Sequence, residues 1–248
     1  MSQPELILHN GRFTTLDPAN PKASAVAISA GKFTAVGHDE DVLALKGAGT
    51  RVVDLGGRCV LPGLIDNHLH IIRGGLNFNM ELRWDGVRSL SDAMDMLRRQ
   101  VLITPPPQWV RIVGGFTEHQ FAEKRLPTIA ELNAVAPDTP VFLLHLYDRA
   151  LLNAAALRAV GYTRDTPEPP GGTIERDKAG NPTGLLLAKP NAAILYATLA
   201  KGPKLPFEYQ LNSTRHFMRE LNRLGMTGAI DAGGGFQNYP EDYEVIQK

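Results

Sequence analysis

At Pro62 the sequence changes its pattern, and that change limits the available folds more than anything else in the chain. Before it, residues 5–60 consist of short apolar runs broken by turn signals: "ELILHNGRFTTL" around Asn10-Gly11, "ASAVAISAGKFTAVG" around Ala30-Gly31, and "TRVVDLGGRCVLPG" around Gly56-Gly57. Runs of this length, separated by residues that tolerate positive φ, read as short strands and hairpins. Only "DEDVLALKGAG" shows a helical period there. After Pro62, strand-like runs ("QWVRIVGGF", "TPVFLLHLYD", "TGLLLAKP", "MTGAIDAGGG") alternate with helical stretches. "SLSDAMDMLRRQVL" has Ser91 as a cap, and "LPTIAELNAVAP" has Thr128 and Glu131 at capping-box spacing. "RALLNAAALRAVG" reads as a helix ending at Gly161, and "FEYQLNSTRHFMRELNRLG" as an amphipathic helix stopped by Gly225. This alternation predicts an α/β fold, with β/α units around a parallel sheet or barrel. The segment "DTPEPPGGTIERDKAGNPTG" excludes a helix and suggests a hairpin turning at Lys178 to Pro182.

Charge and composition remove several classes of function. The 26 Lys and Arg are balanced by 26 Asp and Glu, so there is no electrostatic case for nucleic acid or an anionic membrane surface. A single cysteine, Cys59, excludes a disulfide framework and a four-thiolate zinc site. No apolar run approaches the roughly 20 residues needed to span a bilayer, and the opening residues carry no secretory signal, so a cytoplasmic location is expected. "GGRCVLPG" and "AGGGF" lack the spacing of a dinucleotide fingerprint, which sets an oxidoreductase aside.

The chemistry centres on "LPGLIDNHLH". Residues i and i+2 of a strand share a face, so His68 and His70 would project side by side at the end of an apolar run expected to be buried. Two imidazoles suit a divalent ion such as zinc. The same pair also occurs by chance at strand ends, and both readings stand at this point. Asp66, two residues earlier, could orient a ligand or serve the backbone.

"VLPGLIDNHLH", preceded by "NGRFTTLD" and "GKFTAVG", resembles the amidohydrolase superfamily of metal-dependent hydrolases, and in particular its YtcJ-like branch (amidohydrolase family 3). "RLPTIAELNAVAPDTPVFL", "LLNAAALRAVGYTRDTPEPPGGTIERDKAGNPTGLL" and "LGMTGAIDAGGG" extend the likeness along the chain in order. The resemblance implies a small N-terminal β-sandwich domain (residues 1–60) and a partial TIM-like (β/α) barrel (61–248), with an inserted segment within 77–183. It implies one or two divalent metal ions, zinc first among them, held by His68 and His70, and hydrolysis of an amide or other C–N bond of a small molecule. Lys189, at the end of an apolar run, is similar in place to the lysine that many amidohydrolases carboxylate to bridge two metals. Its alternative is a solvated strand-end lysine.

His145, His119 and Arg149 are candidates for substrate binding. The branch often carries a histidine near the place of Arg149. A lone histidine is as readily structural, and His9, His38 and His216 read that way. Asp231 could line the site or cap a loop, and Trp84 and Phe116 could wall a pocket or pack the core. Family members take two more histidines and an aspartate, the general base, from later strands. The resemblance therefore puts the catalytic base beyond Lys248. After Lys189 this chain has only His216, inside a helix, and residues 62–248 number 187 against roughly 250 for a whole barrel. The chain reads as the N-terminal part of a longer enzyme that needs the rest of its barrel to fold stably. A non-catalytic scaffold is the alternative, and self-association into a homo-oligomer is left open.

Overall fold

A computed structural model describes residues 3–233, 238 and 240–248. The chain divides into two compact units: residues 1–65 with 225–228, and residues 66–224 with 229–248.

In the first unit, β1 (Leu6–His9), β4 (Ala25–Ser29), β5 (Lys32–Gly37) and β6 (Arg51–Asp54) form a sheet of order β5-β4-β1-β6, with α1 (Asp39–Leu43) packed on it. A second sheet joins β2 (Arg12–Thr14), β3 (Lys22–Ala23) and β7 (Cys59–Val60) in the order β3-β2-β7. Phe13 and Ala23 of the second sheet share a buried cluster with Val26 of the first. Ala30 and Gly31 have positive φ (48° and 70°) and turn β4 back onto β5, as the sequence suggests. Asn10-Gly11 behaves differently. β1 pairs with β4 and β6 while β2 pairs with β3 and β7, so this dipeptide carries the chain from one sheet to the other and makes no hairpin. Its signal is a need for positive φ, which Asn10 meets at 55°, and that need is the same in either connection.

β8 (Leu64–Leu69) leads into the second unit and pairs with β15 (Met226–Asp231). Leu64 N–H donates to Gly225 at one end and Ala232 N–H to Leu69 at the other, so the two strands run the same way. The expected burial of β8 is not found. Leu64 is 56% exposed and Ile65 71%, because among the described residues β15 is the only strand paired with β8.

The main sheet has the order β13-β14-β12-β11-β10-β9, from β9 (Glu81–Arg83), β10 (Val110–Val113), β11 (Val141–His145), β12 (Arg149–Leu152), β13 (Thr173–Arg176) and β14 (Pro182–Leu187). β9, β10 and β11 are parallel, and β12, β14 and β13 join antiparallel. The sheet is thus mixed where uniform β/α alternation is expected. The cause is "RALL", which is strand β12, so that α5 (Ala154–Val160) begins only after Asn153. A short apolar run cannot be told from a buried helical turn by periodicity, and pairing with β11 decides it. The hairpin of β13 and β14 forms as expected, around the turn at Asp177–Gly180.

One face of the sheet (Leu82, Val110, Ile112, Val141, Leu143) packs against α3 (Leu90–Ile103) and α4 (Ile129–Val135), with Trp84 and Phe116 fully buried in that core. The opposite face (Trp109, Phe142, Leu152, Leu186) packs against α5 and α6 (Ala193–Leu199). Caps set the helix starts. Ser89 accepts from Asp92 N–H, so the cap lies two residues before Ser91, which is inside the helix. Thr128 and Glu131 complete the expected capping box, and Gly161 closes α5 at φ 73°.

α2 (Ile71–Leu76) and α7 (Phe207–Arg223) pack together, with α8 (Glu241–Gln247) against both. Gly75 permits the α2–α7 approach, since a Cβ there would lie 2.9 Å from Thr214 Oγ1. Gly225, at φ 87°, follows the end of α7. The glycine-rich stretch expected after β15 falls partly at 234 and 235, outside the described residues. Among the described residues no helix is long and apolar enough to cross a membrane.

Candidate active site

The carboxyl ends of parallel strands are where open α/β sheets and barrels place their ligands. In the second unit the ends of β8, β9 and β10 and the turn after β11 meet around a cleft of about 480 Å³. His68 of β8 and His70 just after it open into it, together with Arg83, Val113 and Tyr147. The two imidazoles stand edge to face with ring centroids 5.5 Å apart, so the strand brings together the pair that the sequence singles out.

Local bonds fix that pair. Asp66 Oδ1 accepts His68 N–H at 2.9 Å and sets the backbone of the first histidine. His70 precedes α2 and offers it no side-chain cap. Asp231 takes that part from across the sheet, its Oδ2 accepting Ile72 N–H at 2.9 Å. Its Oδ1 accepts Gly233 N–H at 2.6 Å, and the Gly233 carbonyl accepts from His70 Nδ1. With Nδ1 carrying the proton, Nε2 keeps its lone pair for a ligand. Asp231 therefore caps and braces and does not itself reach outward. The pair fits half of a tetrahedral metal site. Among the described residues no group of three or more His, Cys, Asp or Glu side chains gathers anywhere.

The other residues singled out in the sequence stand apart from this cleft. Lys189 is exposed just beyond β14 and does not line it. His119 is exposed in a short turn, where Lys124 Nζ donates to its carbonyl. His145 is 3% exposed, and its ring lies between two carboxylates: Glu118 Oε2 2.8 Å from Nε2 and Asp148 Oδ1 2.9 Å from Nδ1. Arg149 donates to Asp148 through Nε and Nη2, at 3.0 and 2.8 Å. Its own backbone N–H and then His145 hold the Glu118 carboxyl below the usual range. Burial acts to raise Asp148, but bonds from Arg149 and His145 outweigh it and hold that carboxyl low as well. His216 lies on α7 and pairs with Asn79 at 2.6 Å. Lys248, beyond which the general base is expected, is exposed at the end of α8, and its carbonyl accepts from Arg215 Nη2 at 3.5 Å. It does not line the cleft and takes no part in the site.

The sequence reading missed the cleft's charged wall. Glu81, Arg83, Arg111 and, from α2, Arg73 all line it. Burial pushes the Glu81 carboxyl up, against the pull of Arg83, whose Nη2 lies 2.5 Å from Oε2. A signal for Arg111 is present in "WVRIV", where a cation interrupts an apolar strand run.

Parallel strands that carry a histidine pair and charged side chains at their carboxyl edge define an α/β protein with a strand-end cleft. Residues 51–248 match the amidohydrolase family, and the chain belongs to that family. It is 32% identical to the N-substituted formamide deformylase of Arthrobacter pascens over 92% of this chain and 42% of that protein. It is also 32% identical to YtcJ of Bacillus subtilis (strain 168), over 90% of this chain and 41% of that protein. Among solved structures, an uncharacterized metal-dependent hydrolase from Pyrococcus horikoshii OT3 shares the fold, with a TM-score of 0.59 and 24% identity over 90% of this chain and 42% of that one. The chain spans about two-fifths of the length of these relatives.

Proposed function

We propose that the strand-end cleft is the active site of a metal-dependent hydrolase acting on an amide or other C–N bond. His68 and His70 would hold one or two divalent ions, zinc first among them. The observation that carries this reading is the histidine pair itself, opening into the cleft with His70 Nδ1 committed to the Gly233 carbonyl. A bound ion supplies Lewis acidity and makes water acidic enough to attack near neutral pH. The chain's own residues do the placing. Asp66 sets the His68 backbone, Asp231 caps α2 and holds Gly233, and the Gly233 carbonyl engages His70 Nδ1, which leaves Nε2 for an ion. Family membership and a relative named for deformylation of N-substituted formamides support the reaction class. Lys189 would act as a carboxylated bridge only if the rest of the protein sheltered it.

The direct test is metal analysis of the full-length protein, wild type against His68→Ala/His70→Ala. Retained metal in the double variant would overturn the assignment. Turnover of simple formamides and N-acyl amides, lost with a chelator and restored by zinc, tests the reaction class.

A further inference from the structure

The cleft carries a charge pattern that holding a metal does not require. Among the described residues, three arginines, Arg73, Arg83 and Arg111, line it against one carboxylate, Glu81. Glu81 is engaged by Arg83 through a 2.5 Å hydrogen bond. Arg111 makes no hydrogen bond to Glu81. The strand register sets it between Glu81 of β9 and Phe142 of β11, on an interior face of the sheet. It is only 9% exposed, yet among the described residues its guanidinium makes one hydrogen bond, from Nη2 to the Pro203 carbonyl at 3.4 Å. A guanidinium has five N–H donors in a planar fork, and with one of them so used the rest are open to the cavities that Arg111 lines. Burial indeed lowers the Arg111 pKa, with Glu81 pulling the other way. Arg73 reaches the same cleft from α2, its Cζ held 4.9 Å over the Tyr196 ring. Arg73 and Arg111 also line a second, adjoining cavity, so the two cations stand where both spaces meet.

We propose that Arg111, assisted by Arg73, is the docking point for a carboxylate on the substrate, so that the preferred substrates are amides bearing a single negative charge. This rests on the cleft being the active site. The forked guanidinium matches a carboxylate through two parallel hydrogen bonds. Glu81 in the same wall repels a second negative charge, which disfavours a phosphate dianion.

Calorimetric binding of N-benzoylglycine, its neutral amide N-benzoylglycinamide, and phenyl phosphate to the full-length protein tests this, with metal loaded and after chelation. The acid is expected to bind at least about tenfold tighter than the amide in both states, as charge-assisted hydrogen bonds predict. Arg111→Met should bring acid and amide within about threefold while amide binding holds. Should that variant fail to fold, Arg73→Gln and Arg111→Lys carry the test, each lowering the acid preference part of the way. Equal or undetectable binding of acid and amide, a preference untouched by the variants, or tighter binding of phenyl phosphate would overturn the proposal. The chelated arm separates it from the metal assignment: an acid preference there depends on the arginines alone. Its absence in protein that retains its metal sinks only the carboxylate site.

Discussion

Asp231 is the residue whose removal best separates a built metal site from two neighbouring histidines. Its carboxylate accepts Ile72 N–H at 2.9 Å and Gly233 N–H at 2.6 Å. Hydrogen bonds to charged groups contribute about 1.5–3 kcal/mol each, and Asp231 is half-buried, which favours the low end. Asp231→Ala should therefore cost about 3 kcal/mol of stability. The second effect is specific to the site. Without the carboxylate the Gly233 carbonyl is released, and His70 loses the acceptor that orients its ring. Loss of such an outer partner weakens metal binding by about 10–100-fold, or about 1.4–2.7 kcal/mol. Asp231→Asn keeps one carbonyl oxygen and should fall between wild type and Ala on both scales. Zinc affinity is read by competition with a chromophoric chelator in the full-length protein, and stability by urea titration of the same samples. Wild-type zinc affinity in Asp231→Ala, together with the expected stability loss, would refute the reasoning and leave Asp231 as a brace of the fold alone.

Three other outcomes follow from the packing and the charges. Gly75→Ala places a Cβ 2.9 Å from Thr214 Oγ1 and 3.2 Å from Thr214 Cα. Overpacking of about 1–3 kcal/mol should outweigh the gain of about 1 kcal/mol in helix propensity, so a melting temperature at or above wild type would contradict the α2–α7 contact. Asn153 is fully buried and bonded four ways, to Val141 N–H, Ala156 N–H and the carbonyls of Ala136 and Thr139. Asn153→Ala strands all four partners and should cost about 3–5 kcal/mol in urea unfolding; a loss under about 1 kcal/mol would show that the network is dispensable. Arg125, hydrogen-bonded to Glu131, holds that carboxyl down from the usual 4.5 to about 2. A depressed carboxyl stabilises the fold above its unfolded value, so this contribution is present above pH 4.5 and is lost as pH falls toward 2. The pair is partly exposed, which limits the effect to about 1 kcal/mol, and Glu131→Gln should flatten the acid limb of the stability curve by that amount. An unchanged limb would show that the pair contributes nothing.

Signals carried by local chemistry survived the step from sequence to fold. The Thr128–Glu131 capping box, the Gly161 and Gly225 stops and the Ala30-Gly31 turn need only their own few residues, and the structure has each of them. His68 and His70 belong here too, because a period of two along a strand suffices to set them side by side. The departures share another cause. Asn10-Gly11 leads to a different sheet, "RALL" becomes a strand, and β8 stays exposed, each because a distant partner decides the outcome. His145 shows the same limit at a candidate site residue. The sequence places it on an apolar strand, but only the fold brings Glu118, 27 residues away, onto its second nitrogen.

Arg111 depends on distant partners most of all. In "WVRIV" it interrupts an apolar run, a signal that by itself does not say which surface the cation meets. Its meaning depends on register. Pairing Arg111 with Glu81, and Val113 with Arg83, puts four side chains on one face near the carboxyl edge of parallel strands. Arg83 then bonds Glu81 Oε2, and Arg111 makes its one hydrogen bond among the described residues to the Pro203 carbonyl. A one-residue slip of β9 against β10 would turn Leu82 into the cleft and Glu81 and Arg83 toward the apolar core under α3. The burial of Leu82 with Val110 and Ile112 opposes that slip, so the apolar pattern of the far face also fixes which charges line the cleft. The histidine pair is written in two letters at the end of one strand, whereas the charged wall of the cleft is written across three elements and is readable only once they are paired.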